Sequence, residues 1–111
     1  PFDPEERWER FLLAFINQSK GNENATESEL VSIANFSRAQ LFRPSKNHLL
    51  GIYALEQTQG EKKAQQFIEQ LLAADHGPSD TTKALIQFYY NNTELRWDKA
   101  FITKLMSFIK K

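Results

Sequence analysis

The sequence predicts an all-α fold of about six short amphipathic helices arranged as three antiparallel hairpins, and three observations carry that prediction. Apolar residues recur at the three-and-four spacing of one helical face in six separate stretches. Between those stretches stand capping residues, glycines and prolines that start or stop helices. No segment alternates strictly between polar and apolar residues, and the β-branched residues are scattered, so a sheet has nowhere to form.

The first helix is predicted from Asp3-Pro4-Glu5-Glu6, a capping side chain followed by a proline at the first helical position and a carboxylate three residues after the cap. Trp8, Phe11, Leu12, Phe15 and Ile16 then form a wide apolar stripe that ends near Ser19, before the turn formers Lys20-Gly21-Asn22. A second helix is expected from Thr26, with Glu29 completing a capping box. Leu30, Ile33, Ala34, Ser37 and Leu41 make its stripe, and Pro44 forbids its continuation.

A third helix is predicted over 45–59, closed by Gly60 as a left-handed residue. Gly51 inside it weakens the helix by about 1 kcal/mol relative to alanine, which predicts a close helix crossing as compensation. Glu61 opens a fourth helix with Ala64, Phe67, Ile68, Leu71 and Leu72 on one face, ended by Gly77-Pro78. Ser79 or Asp80 caps a fifth, with Ala84, Leu85, Phe88 and Tyr89 inward, and Asn91-Asn92 breaks it. The sixth is expected from Thr93 or Glu94, carrying Trp97, Phe101, Ile102, Leu105, Phe108 and Ile109.

Short connections between these helices predict hairpins over about 3–43, 45–77 and 79–111 within a single domain. The start Pro1-Phe2-Asp3 predicts a piece excised from a longer chain.

Displacing the chain against itself by 34 residues brings Ile52 onto Ile86, and Phe67, Ile68, Leu71 and Leu72 onto Phe101, Ile102, Leu105 and Met106. Gly60 falls between the two helices of the repeat and Gly77-Pro78 at the turn that follows it. In these features the chain resembles the tetratricopeptide family of helix-turn-helix repeats over 45–111. His48-Leu49-Leu50-Gly51-Ile52-Tyr53-Ala54 departs from that family's Trp, Leu-Gly and Tyr pattern.

The resemblance implies a right-handed α-α superhelix. It also implies an inner surface, lined by the first helix of each hairpin, that holds a peptide or a partner helix. Residue by residue it implies Asn47, Leu50, Ala54 and Gln57 in one unit and Lys83 and Asn91 in the next as partner contacts. Tyr90 joins them for a separate reason. Adjacent helical residues point about 100° apart, so with Tyr89 in the core Tyr90 lies at the edge, where an amphipathic ring suits a partner. Phe36 and Phe42 raise the same expectation for the second helix.

Composition bounds the function. The chain has 111 residues, 14 basic and 14 acidic, which removes the broad positive field expected of a nucleic-acid binder. The absence of cysteine excludes disulfides and sulfur-ligated zinc and leaves the compartment open between cytoplasm and bacterial periplasm. No apolar run approaches the roughly 20 residues needed to span a bilayer, so a soluble domain is expected.

His48 has no carboxylate or second imidazole at the helical spacing of a metal site, and His76 has no second imidazole there. Glu5, Glu6 and Glu9 belong to an exposed first turn, where the raised pKa of an acid-base carboxylate is not expected. Glycine-rich phosphate loops and nucleophile elbows are absent. The Asn-x-Ser/Thr triplets at Asn17, Asn24, Asn35 and Asn91 read as products of a polar composition. The sequence therefore predicts a protein-interaction or scaffolding module without enzymatic activity or cofactor. The alternative is a regulatory domain whose Phe-rich interior encloses a small apolar ligand.

Overall fold

The structure, a computed structural model, describes residues 5–74 and 78–111. Six helices occur in the order α1 (Arg7–Ser19), α2 (Glu23–Ala39), α3 (His48–Gln59), α4 (Glu61–Ala73), α5 (Asp80–Asn91) and α6 (Lys99–Ile109), and no strand occurs among the described residues. The all-α prediction is met. The Asp3-Pro4 cap, His76 and Gly77 lie outside the described residues.

α1 and α2 run antiparallel: Arg7 reaches Ser37 at one end, Arg10 pairs with Glu29 at 3.0 Å, and the Thr26 hydroxyl sits 3.5 Å from the Ala14 carbonyl. Gly21, at φ 74°, turns the chain between them. α2 begins four residues earlier than the capping box predicts, with Asn22 instead of Thr26 at the N-cap position. Thr26 is buried in its second turn and donates to the Asn22 carbonyl at 3.0 Å, while Glu29 is spent on Arg10. Tertiary burial of the threonine outweighs its capping preference.

Close backbone packing joins α1 to α2, α2 to α3 and α3 to α4, in sequence order. Every residue from His48 to Leu55 is buried. A helix apolar on all sides belongs at the centre of a domain, and α3 occupies that place. α5 also packs on α3, with the Tyr53 and Tyr89 rings 5.4 Å apart, and α6 reaches α3 through Phe101, 5.7 Å from the Tyr53 ring. α5 and α6 meet through side chains, Phe88 against Phe108 at 5.0 Å. The radius of gyration is 13.2 Å, close to the roughly 13 Å of a compact chain of this size.

Two stripes differ from expectation. On α1 the buried face is Arg7, Trp8, Phe11 and Ala14, whereas Ile16 is exposed, because the helix turns its 7–11–14 line toward the core. On α5 Thr82 and Ile86 are buried and Ala84 is exposed. α6 starts at Lys99 rather than near Thr93 because Asp98 caps it, its Oδ1 accepting from Phe101 N at 2.8 Å. Trp97 therefore lies on the 92–98 connection, free to turn back onto α1.

Candidate functional site

The returning Trp97 ring stacks on Phe11 at 5.6 Å and on Phe15 at 6.5 Å, both supplied by α1. Held in this way it forms one wall of a concavity of about 440 Å³, completed by Gln18 of α1, Glu23 and Glu27 of α2, and Gln57 and Thr58 of α3. Local sequence explains the arrangement. Glu23 stands in the first turn of α2, where a carboxylate is favoured by the helix dipole, and Glu27 follows one turn later on the same face. Neither carboxylate has an ion-pair partner among the described residues. A partly buried indole, stacked on two phenylalanines beside two carboxylates without ion-pair partners, can accept a cation over the ring face and amide hydrogen bonds at the rim.

At the opposite end of the α1–α2 pair a buried polar cluster surrounds Arg7, whose exposure is only 2%. Its guanidinium donates from Nε to Glu5 Oε1 at 2.9 Å and from Nη2 to Glu5 Oε2 at 2.7 Å, a bidentate fork. Nη1 donates to Ser37 Oγ at 2.8 Å and to His48 Nδ1 at 3.0 Å, and the Phe36 ring lies 5.0 Å from the guanidinium carbon.

An arginine cannot accept a hydrogen bond, so His48 Nδ1 is the acceptor and His48 Nε2 carries the proton that it donates to the Arg43 carbonyl at 2.8 Å. Burial and the Arg7 charge hold the His48 pKa below its ordinary value, against the opposing pull of the Arg43 carbonyl and Glu5. Burial raises the Glu5 carboxyl, but hydrogen bonds from Arg7 and its charge outweigh that and leave it below the usual range.

A third network lies between α3 and α5. Tyr89 OH donates to Glu56 Oε2 at 2.8 Å, and Tyr53 OH donates to the Asn92 carbonyl. Burial raises both phenols well above their ordinary pKa, and burial also raises Glu56 despite the bond from Tyr89. Beside it a polar concavity of about 480 Å³ is lined by residues of 91–104, Asn91, Glu94, Asp98 and Lys104 among them.

The residues anticipated as partner contacts are spread over the molecule. Leu50 and Ala54 are fully buried in the all-round apolar α3 and offer no surface, which corrects their assignment to a groove. Asn47 is the N-cap residue of α3, partly buried, and its Oδ1 is buried without a hydrogen-bond partner. Lys83 is exposed on α5. Tyr90 is 48% exposed, as its position beside Tyr89 predicts, and its hydroxyl donates to Gln65 Oε1 at 3.0 Å. Asn91 lines the 480 Å³ concavity, with its Oδ1 accepting from Gln87 at 3.1 Å. Gln57 alone joins the Trp97 concavity.

Sequence reasoning missed the Arg7, Ser37 and His48 cluster. Its trace was present in Arg7 standing on the 7–11–14 line of α1 and in Ser37 standing within an otherwise apolar stripe. Among the described residues no group of three or more His, Cys, Asp or Glu side chains is placed to hold a metal ion, and no helix is long and apolar enough to cross a membrane. Comparison with known proteins returns no matching family model, no matching curated protein and no matching solved structure.

Proposed function

We propose that this domain is a protein-interaction module whose binding surface is the Trp97 concavity, and that its partner is a peptide segment bearing lysine or arginine. The observation that carries this reading is the Trp97 indole, fixed by Phe11 and Phe15 and flanked by the unpaired carboxylates Glu23 and Glu27. A cationic side chain gains both the ring face and the charge, and stacking on a pre-positioned ring costs little ordering entropy. Gln57 and Gln18 at the rim suit a peptide backbone. On this reading the domain acts by binding and performs no chemistry of its own.

The thirty-four-residue repeat and the sequence-order packing of α1 to α4 support a tetratricopeptide-like relationship, with one change. Because α3 is enclosed on all sides, the peptide lies at the ends of the first three helices and along Trp97, rather than on an inner surface of first helices. The alternative of an enclosed apolar ligand draws no support from these polar-lined concavities.

The test is titration with short lysine-containing and glutamate-containing peptides, followed through the indole N–H resonances of the two tryptophans. Binding of the lysine peptide that moves Trp97, leaves Trp8 in place and weakens with salt supports the reading. Equal response to the acidic peptide, or no response to either, overturns it.

A further inference from the structure

We infer that the Arg7 guanidinium is a carboxylate-binding site, held in this structure by the chain's own Glu5 and open to exchange with the carboxylate of a partner. Four observations lead there. Arg7 is immobilised from behind, by Ser37, His48 and Phe36, so the fork formed by Nε and Nη2 keeps its direction whether or not Glu5 occupies it. The occupant is held less firmly than the host: Arg7 is 2% exposed and Glu5 38%, and Glu5 precedes the first turn of α1 instead of belonging to a helix.

The fork also opens onto space. A concavity of about 290 Å³ is lined by Glu5, Arg7, Phe36, Arg43 and Ser45 among others. Ser45 Oγ lies 3.4 Å from Arg7 Nη2, and the backbone N–H of Arg7 already donates to Glu5 Oε1 at 3.1 Å, so a carboxylate finds a third and a fourth polar partner. Finally, the charges do not balance. Arg43 lines the same concavity and has no ion-pair partner among the described residues, so two arginines and one acidic residue line it.

A planar fork with two parallel N–H donors matches a carboxylate, the group it holds here, and a side chain two residues away is a tethered occupant that a ligand of sufficient local concentration displaces. The site is independent of the Trp97 concavity, which lies at the other end of the α1–α2 pair, and either can fail alone.

The experiment removes the tethered occupant and supplies a free one. Glu5→Ala leaves a buried guanidinium uncompensated, so its melting temperature falls below that of the unaltered protein. Sodium acetate then raises it by about 5 °C once acetate exceeds its dissociation constant roughly tenfold, whereas sodium chloride of equal ionic strength does not. The unaltered protein responds less to acetate, because Glu5 competes. Arg43→Ala in the Glu5→Ala background weakens the acetate response.

N-acetylglycine and N-acetylglutamate α-amide, added in place of acetate, distinguish a chain-terminal carboxylate from an acidic side chain as the better occupant, and rescue by either supports the proposal. Glu5→Gln, which keeps the side-chain volume, replaces Glu5→Ala should the alanine variant not fold. Equal effects of the carboxylates and chloride overturn the proposal.

Discussion

A Cβ placed on Gly51 would stand 2.3 Å from Ser37 Oγ and 2.5 Å from Ser37 Cβ, so α2 and α3 cross where only a hydrogen atom fits. Gly51→Ala gains about 1 kcal/mol of helix propensity and loses about 2–3 kcal/mol, the upper part of the overpacking range, against a serine that Arg7 holds in place. The expected outcome is a net loss of stability of about 1–2 kcal/mol by urea unfolding. Ser37→Gly costs stability by itself, because it removes a partner of the buried Arg7 and adds a glycine inside α2, but the double variant should lose less than the sum of the two changes because they share one contact. A Gly51→Ala protein as stable as the parent would mean that the helices separate freely.

The pH dependence of stability follows from His48. Its folded-state pKa is lowered from the ordinary value of 6.5, because burial and the Arg7 charge disfavour the protonated ring. The unfolded chain therefore binds a proton before the folded one does. The contribution is present in full above pH 6.5 and is lost as pH falls from there through the folded-state value. Protonation also removes the only acceptor that His48 offers to Arg7. His48→Gln should flatten the slope of unfolding free energy against pH in this window. The Glu56 contribution is common to both proteins and cancels in the difference, whereas the Glu5 contribution is coupled to the His48 charge and changes with it.

The helices were legible in the sequence because their signals are local. Gly60, at φ 98°, sits where the turn between α3 and α4 was expected, and the predicted close crossing at Gly51 is present. What could not be read depends on contacts distant in sequence. Trp97 falls at helical spacing with Phe101 and Ile102, yet α6 begins only after Asp98, and the indole finds Phe11, more than eighty residues earlier. Likewise no periodicity separates an arginine that snorkels to solvent from Arg7, which the fold surrounds with Glu5, Ser37 and His48. Phe36 and Phe42 looked equivalent beforehand. The structure makes Phe36 a ring against Arg7 and leaves Phe42 72% exposed.

That difference predicts opposite outcomes for the two phenylalanines. Phe42→Ser should change stability by no more than about 0.5 kcal/mol, since little apolar surface is buried there. Phe36→Ser should cost about 1–2 kcal/mol, by removing half-buried apolar area and the cation-π contact that helps to keep a buried charge in place. Thermal unfolding of the pair side by side checks this.

Between α3 and α5 the two tyrosine hydroxyls have different acceptors, a backbone carbonyl for Tyr53 and a carboxylate for Tyr89. Tyr53→Phe should cost about 1 kcal/mol and raise amide exchange in 92–98, the connection whose Asn92 carbonyl it holds. Tyr89→Phe should instead leave that connection protected and raise the Glu56 pKa further, since the Tyr89 hydrogen bond lowers it. Carboxyl-detected NMR titration of Glu56 reads the second effect, and an unmoved Glu56 would break the proposed coupling.

The seven anticipated contact residues now make unequal predictions for peptide binding. Gln57 lines the Trp97 concavity, while Asn91 lines a different one and Asn47 and Lys83 line neither. Gln57→Ala should weaken the lysine peptide by about 3–10-fold, the range of one hydrogen bond of about 0.5–1.5 kcal/mol. Asn91→Ala and Lys83→Ala should leave the affinity within twofold apart from the small effect of net charge, and Asn47→Ala should do so at little cost in stability, since its Oδ1 is already unpartnered. Trp97→Ala should abolish binding, but it also exposes Phe11 and Phe15 and lowers stability. Glu23→Gln and Glu27→Gln are the cleaner pair: together they remove the charge while the indole stays, so affinity should fall and its salt dependence should disappear. Affinity and salt slope both unchanged would mean that the ring alone recognises the peptide and that the carboxylates serve only the dipole of α2.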